Sequence, residues 1–204
     1  LNIDGPEKLS GRAKYVIDMV LPGMVHGKVL RSPHPHAKVV NIDVSKAKAL
    51  PGVCAIVTGE DLPVLEDLPG DRPTLAQGIV RYVGDAVAAV AAETLDIAGE
   101  ALRLIKVTYE ELPAVFDPEE AMKTDTKVII HASSKGPDGE ELPPNVCHYY
   151  HVQDGNMEAG FQEADYIVEN RFATGMAQCC PMEPHAALGD VDIYGNAVVW
   201  SNTQ

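Results

Sequence analysis

Residues 86–105 read AVAAVAAETLDIAGEALRLI, and inside this stretch the hydrophobic period changes from that of a strand to that of a helix. Ala86 to Ala92 is a short unbroken run of Ala and Val, which predicts a strand. Thr94 then offers a side-chain oxygen to the free amides of a helix N-terminus, and Asp96 falls in the first turn, where the helix dipole favours an acid. Ile97, Ala98, Ala101, Leu102 and Ile105 make one stripe, so one side of this helix is expected to pack and the other to face water. Lys106 to Glu110 (KVTYE) predicts a strand that returns to the sheet.

Outward from this centre the same alternation continues. Met24 to Arg31 (MVHGKVLR) and Lys38 to Val44 (KVVNIDV) predict strands, and Ser45 is placed to cap a short helix, SKAKAL, that Pro51-Gly52 ends. Val53 to Thr58 (VCAIVT) is continuously apolar, which predicts a strand buried on both faces. Gly59 to Pro73 is polar and proline-rich, IVRYV gives a further strand signal, and Asp117-Pro118 starts a last short helix at EEAMK. Residues 1–123 therefore read as one compact domain of α/β (α+β) class.

Residues 124–144 shift toward turn formers and charge and read as a linker. Beyond it, in residues 145–204, NVCHYYHVQDG and DYIVENRFATG are strand candidates, NMEAGFQEA a short helix, and HAALGDVDIYGNAVVWSNT a hairpin turned at Tyr194-Gly195-Asn196. These 60 residues are too few for an independent domain of edge strands, so this half is expected to draw on more chain or on another subunit.

Composition narrows the function classes. A net charge of −14 argues against nucleic acid as a partner, since phosphate binding needs clustered Lys and Arg. The longest apolar run, Ala86 to Ala92, is too short to span a bilayer, so no membrane partner and a cytoplasmic location are expected. Charge is uneven: residues 1–50 hold eight Lys/Arg against four Asp/Glu. Lys28, Arg31 and Lys38 are accordingly candidates for a basic face toward an acidic partner, against the plainer reading of scattered solvated lysines.

Several constellations suggest chemistry without specifying it. Gln178 to His185 (QCCPMEPH) gathers two thiols, a thioether, a carboxylate and an imidazole, yet adjacent cysteines in an extended strand face opposite ways and Pro181 and Pro184 hold the backbone open. A turn with buried, satisfied side chains is the favoured reading over a metal or redox site. Cys54, Cys147, Cys179 and Cys180 lack any zinc spacing. His34 and His36 stand at i and i+2 without a third ligand nearby, and His148 and His151 with Tyr149 and Tyr150 carry no discernible chemistry. Phosphate-loop motifs and GxSxG are absent.

The order of these pieces is more specific than any one of them. DGPEKLSGRAKYVIDMVLPGMVHGKVLRSPHPHAKVVNIDVSKAKALPGVCAIVTGED, then VRYVGDAVAAVAAETLDIAGEALRLIKVTYEELPAVFDPEEAM, then GFQEADYIVENRFATGMAQCCPMEPHAALGDVDIYGNAVVWSNTQ closely resemble, in that order, the N-terminus of the large subunit of the xanthine dehydrogenase and aldehyde oxidase family, the molybdenum hydroxylases. The resemblance implies an "a/b hammerhead" domain followed by the beginning of a first molybdopterin-binding domain. It implies a molybdenum–molybdopterin cofactor that hydroxylates a C–H bond with oxygen from water. It also implies electron flow to [2Fe-2S] clusters and FAD on partner domains or subunits, in a hetero-oligomer for which a dimer of heterotrimers is one arrangement.

One cofactor-binding residue carries over: Gln204, closing the W-S-N-T-Q run, matches the glutamine whose amide hydrogen-bonds the molybdenum's oxygen ligand. No catalytic residue and no metal ligand is expected within the chain, because the family's FGGK-type loop and late glutamate would lie beyond residue 204; the chain alone is expected to be inactive. In the same frame Met182-Glu183-Pro184 falls on a family M-E-P segment, and Glu183 is expected to be a buried acceptor that fixes the turn. The alternative, of a different class, is a non-catalytic module that docks an iron–sulfur subunit or an assembly factor.

Overall fold

The computed structural model describes residues 3–63, 73–133, 135–136, 139–146 and 149–203. In chain order it contains α1 (Gly5–Leu9), β1 (His26–Arg31), β2 (Ala37–Asp43), α2 (Ser45–Lys48), β3 (Val53–Thr58), β4 (Ile79–Val80), β5 (Ala86–Ala92), α3 (Leu95–Leu104), β6 (Lys106–Glu111), α4 (Pro118–Ala121), α5 (Met157–Glu163), β7 (Ala187–Val191) and β8 (Ala197–Ser201), with short 3-10 turns at Val16–Asp18 and Gly59–Asp61. The chain divides into two units, residues 25–154 and residues 1–24 with 155–204.

Unit 25–154 contains two three-stranded antiparallel sheets, ordered β1-β5-β3 and β4-β2-β6. The alanine-rich β5 is the central strand of the first, hydrogen-bonded to β1 on one edge and to β3 on the other. Its Ala88, Val90 and Ala92 are buried with Ala47 of α2 and with Ala98, Ala101 and Ile105 on and just after α3, while Val87 joins Ala37, Ala76 and Val80 in a second cluster under β2. Full burial contributes about 1.5–3 kcal/mol for each of Val87 and Val90. α3 starts as its sequence predicts: the Thr94 hydroxyl accepts from the Ile97 amide at 3.2 Å, and its Ala98–Ala101 face is the buried one.

Two local expectations are corrected. β3 is an edge strand, not one buried on both faces: Cys54 and Ala55 are exposed, while Val53 and Ile56 pack on the α3 cluster. Continuous apolar sequence does not distinguish an edge from a centre when a neighbour as small as alanine supplies the other face; the strand covered on both faces is β5. Ser45 does not cap α2 but is its first residue, and its amide is taken by Asp43 Oδ1 at 3.0 Å.

Val128, Ile130, His131 and Asn145 are tied to one another and to Ala121 and Arg81 by side-chain bonds. Asn145, at φ +66°, accepts from the amides of Ile130 (2.7 Å) and His131 (3.1 Å) and donates through Nδ2 to the carbonyls of Ala121 and Val128, both at 2.9 Å. Arg81 Nε donates to the Ile130 carbonyl at 3.1 Å.

In the other unit, Asn156 caps α5 by accepting from the Ala159 amide at 3.0 Å, and β7 and β8 form the expected hairpin, paired from Ala187↔Ser201 to Val191↔Ala197. Asp192 organises its turn, accepting from the amides of Tyr194 (2.8 Å) and Asn196 (2.9 Å) and from Asn196 Nδ2 (2.7 Å), with Gly195 at φ +86°. The strand expectations at 145–155 and 165–175 fail: the described residues there are in no strand. β-branched and aromatic composition raises strand propensity, but a strand needs a partner ladder, and among the described residues neither segment has one. Phe161, Tyr166, Phe172 and Ile193 are all exposed in this unit, and an open apolar groove of about 390 Å³ runs between α5 and Tyr166–Val168.

Candidate functional site

The hairpin leads to the end of the W-S-N-T-Q run. Asn202 anchors it from both directions: its Oδ1 accepts from the Ala186 amide at 2.8 Å, and its Nδ2 donates to the Pro184 carbonyl at 2.8 Å. One residue on, the hydroxyls of Ser201 and Thr203 lie 2.7 Å apart and the Thr203 amide donates to Ser201 Oγ at 3.2 Å. The backbone up to Thr203 is thus held by neutral amide and hydroxyl groups. Gln204, the residue singled out for cofactor contact, lies outside the described residues.

The strip QCCPMEPH is not the buried turn expected. Cys179 and Cys180 are free and exposed, Met182 and His185 are exposed, and only Glu183 is partly covered. Among the described residues the Glu183 carboxylate accepts no hydrogen bond. The base of the hairpin is pinned by Asn202 instead, an amide that supplies the donor and acceptor that a carboxylate cannot supply together.

In unit 25–154 the polar residues cluster where the two sheets meet. Ser32, His36 and Asp85 are buried. The Ser32 amide donates to the Asp85 carbonyl at 2.8 Å, and Asp85 Oδ2 accepts from the Arg81 amide at 3.0 Å. The two imidazoles of the HPH triplet go to different partners. His36 Nδ1 lies 2.6 Å from the Pro113 carbonyl, which can only accept, so this nitrogen carries the proton. His34 packs on Tyr109 with ring centroids 4.8 Å apart and lies 3.5 Å from a Glu111 carboxylate oxygen. Burial pushes the Tyr109 phenol above its ordinary value, the Ser32 hydroxyl opposing through a hydrogen bond and the Asp85 charge adding to the rise. These contacts make a structural joint between sheets.

The three cations do not share a face. Lys28 and Arg31 alternate to opposite sides of β1, Lys28 lying against Gly99 of α3 and Arg31 donating to the Gly84 carbonyl at 2.8 Å. Lys38 stands in the other sheet, 4.0 Å from the Glu110 carboxylate. Lys28, Arg31 and Lys38 are therefore dispersed over two sheets. Among the described residues no helix is long and apolar enough to cross a membrane.

Sequence reasoning missed Asn145, Asp192 and Asn202. The available signal was that Asn and Asp hydrogen-bond nearby backbone and that Asn tolerates positive φ; nothing local named their partners.

Comparison with known proteins matches two successive segments of the chain. Residues 10–113 match the model "Aldehyde oxidase and xanthine dehydrogenase, a/b hammerhead domain", and residues 139–204 match "Molybdopterin cofactor-binding domain". The chain is 38% identical over 205 residues to a probable xanthine dehydrogenase subunit of Bacillus subtilis (strain 168), covering 98% of this chain and 26% of that protein. It is 34% identical over 207 residues to the nicotinate dehydrogenase large molybdopterin subunit of Eubacterium barkeri, covering 100% of this chain and 46% of the relative. Its structure resembles reconstituted CO dehydrogenase from Oligotropha carboxidovorans with a TM-score of 0.82 at 29% identity, over 98% of this chain and 26% of that one. The chain thus spans between about a quarter and a half of these relatives. The class so defined is that of proteins in which an a/b hammerhead domain precedes a molybdopterin cofactor-binding domain. This chain belongs to the aldehyde oxidase and xanthine dehydrogenase family.

Ser201, Asn202 and Thr203, at and just beyond the end of β8, are neutral in kind and include no thiolate or imidazole to compete for a metal, but their side chains are engaged with one another or with the hairpin backbone.

Proposed function

We propose that this chain is the N-terminal portion of the molybdenum-binding large subunit of a molybdenum hydroxylase, an oxidoreductase that hydroxylates a C–H bond with water-derived oxygen. Residues 1–123 form the hammerhead domain, 124–144 a linker and 145–204 the opening of the cofactor-binding domain; the matched ranges 10–113 and 139–204 support the order of the two domains. The observation that carries the reading is the collinear order of the two matches, the second ending on the W-S-N-T-Q run at the exit of a side-chain-anchored hairpin.

When bound, the molybdenum–pterin group supplies the two-electron chemistry. The part of this chain is positional. Asn202 fixes the base of the hairpin, Ser201 and Thr203 fix the backbone beyond it, and the Gln204 amide N–H is a neutral donor that orients an oxygen without adding a competing proton or ligand. [2Fe-2S] and FAD centres on iron–sulfur and flavin partners would accept the electrons, in a cytoplasmic hetero-oligomer.

The test is made on the polypeptide that carries these residues, purified from its native source. It should contain molybdenum and pterin in equal amounts and reduce a dye with a purine, aldehyde or N-heterocycle. Gln204→Ala should retain the metal and lower kcat by about 10²–10³-fold, the range for losing one oriented donor. A metal-free polypeptide that co-purifies with an iron–sulfur protein would replace this reading with that of a docking module.

A further inference from the structure

The proposed function leaves the thiols of QCCPMEPH unused. Both are free and exposed. The relative direction of two adjacent side chains is set by ψ of the first residue and φ of the second, and in an extended strand the result is opposite faces. Cys180 has φ +40°, outside the extended region and rarely adopted by a residue with a Cβ, so the pair is not held in that alternation. Pro181 follows with a fixed φ and no amide to donate, so the turn is not absorbed into a helix or a ladder.

We infer that Cys179 and Cys180 form a two-thiol clamp for a trivalent arsenical that carries one organic substituent. Donor count and ring size select this ligand. Structural zinc takes four protein donors, whereas among the described residues no group of three or more His, Cys, Asp or Glu could hold a metal ion. An arsenic with one carbon substituent has two positions left, and two thiols fill them. A direct disulfide fits poorly: Cα atoms across a trans peptide are about 3.8 Å apart, less than the roughly 4.4–6.8 Å that disulfides span. Placing one arsenic between the sulfurs enlarges the ring by an atom and lets the sulfurs stand further apart. The step is a condensation without redox change. An aryl arsonous acid, R–As(OH)2, exchanges its two As–O bonds for two As–S bonds, and the two thiol protons leave with the hydroxyls as two waters.

Phenylarsine oxide is the probe. Added in equimolar amount to the reduced full polypeptide that carries these residues and read by intact-mass spectrometry, it should leave one adduct that survives excess glutathione, a monothiol, and is removed by 2,3-dimercaptopropanol. Cys179→Ser and Cys180→Ser, exposed near-isosteric changes, should each lose the glutathione-resistant adduct, and Cys54→Ser and Cys147→Ser should keep it. An adduct that glutathione strips from the unaltered chain, or one that persists in Cys179→Ser or Cys180→Ser, would overturn the assignment.

Discussion

Asn145 shows how one side chain orders a segment made mostly of turn formers. It satisfies two amides and two carbonyls drawn from positions 14 to 24 residues away, while its own backbone sits at φ +66°. Asn145→Ala removes all four bonds and leaves an ordinary Cβ in the left-handed region. At about 1 kcal/mol per hydrogen bond and ~1–2 kcal/mol for the backbone, a loss of about 5–6 kcal/mol is expected, read as a fall in urea midpoint. Asn145→Gly should recover the backbone part alone. Asp192 belongs to the same class of residue. Its carboxyl is held below the ordinary 3.8, first by the Asn196 side chain and then by turn amides. The folded hairpin therefore binds this proton less readily than the unfolded chain. Its stabilisation is complete above the unfolded pKa and is lost as pH falls through the lower native one. The Tyr194 and Asn196 amide resonances should shift in acid below pH 3.8, and Asp192→Asn should abolish that shift. Neither residue was legible in the sequence as an organiser. An Asn or Asp announces a turn, but the distant groups that Asn145 gathers become neighbours only after the sheets have formed.

Elements were legible where one residue's local chemistry and its packing agree. Thr94 caps α3 and the Ala98–Ala101 face packs, as the stripe predicts. Thr94→Ala should cost about 1 kcal/mol, read by thermal melting. Where the answer depends on rank within a sheet, sequence falls short: VCAIVT is as apolar as AVAAVAA, yet β3 is an edge and β5 a centre. The same holds for DYIVENRFATG, whose composition suits a strand but which has no ladder among the described residues. Backbone proximity is also invisible in sequence. A Cβ on Gly59 would fall on the Ala76 carbonyl, a backbone atom that cannot swing aside, so Gly59→Ala should displace the 3-10 turn from β4's approach and lower the melting temperature of unit 25–154 by more than Thr94→Ala does.

At the scale of the molecule the two units differ in how much apolar surface they cover. Unit 25–154 holds both buried clusters, whereas residues 165–186 lie outside any helix or strand and are exposed almost throughout. Amide hydrogen exchange should therefore be slowest in β5 and fastest between Asp165 and Ala186; equal protection in the two would contradict this division. The candidate site was legible only through resemblance. Gln204 is a neutral amide, and neither charge, spacing nor periodicity marks such a group, whereas the ligand-rich octapeptide that does attract notice lies exposed. The strand order β1-β5-β3 also governs the birth of the chain. β1 and β3 never pair with each other, and the strand that joins them is made after both. A ribosome must release residues through Ala92 before either ladder of that sheet can close, and through Glu111 before β2 has β6. Until then β1 and β3 wait as unpaired edges and β2 has only the two-residue β4 beside it, and a chaperone that shields nascent strands finds its substrate in that interval.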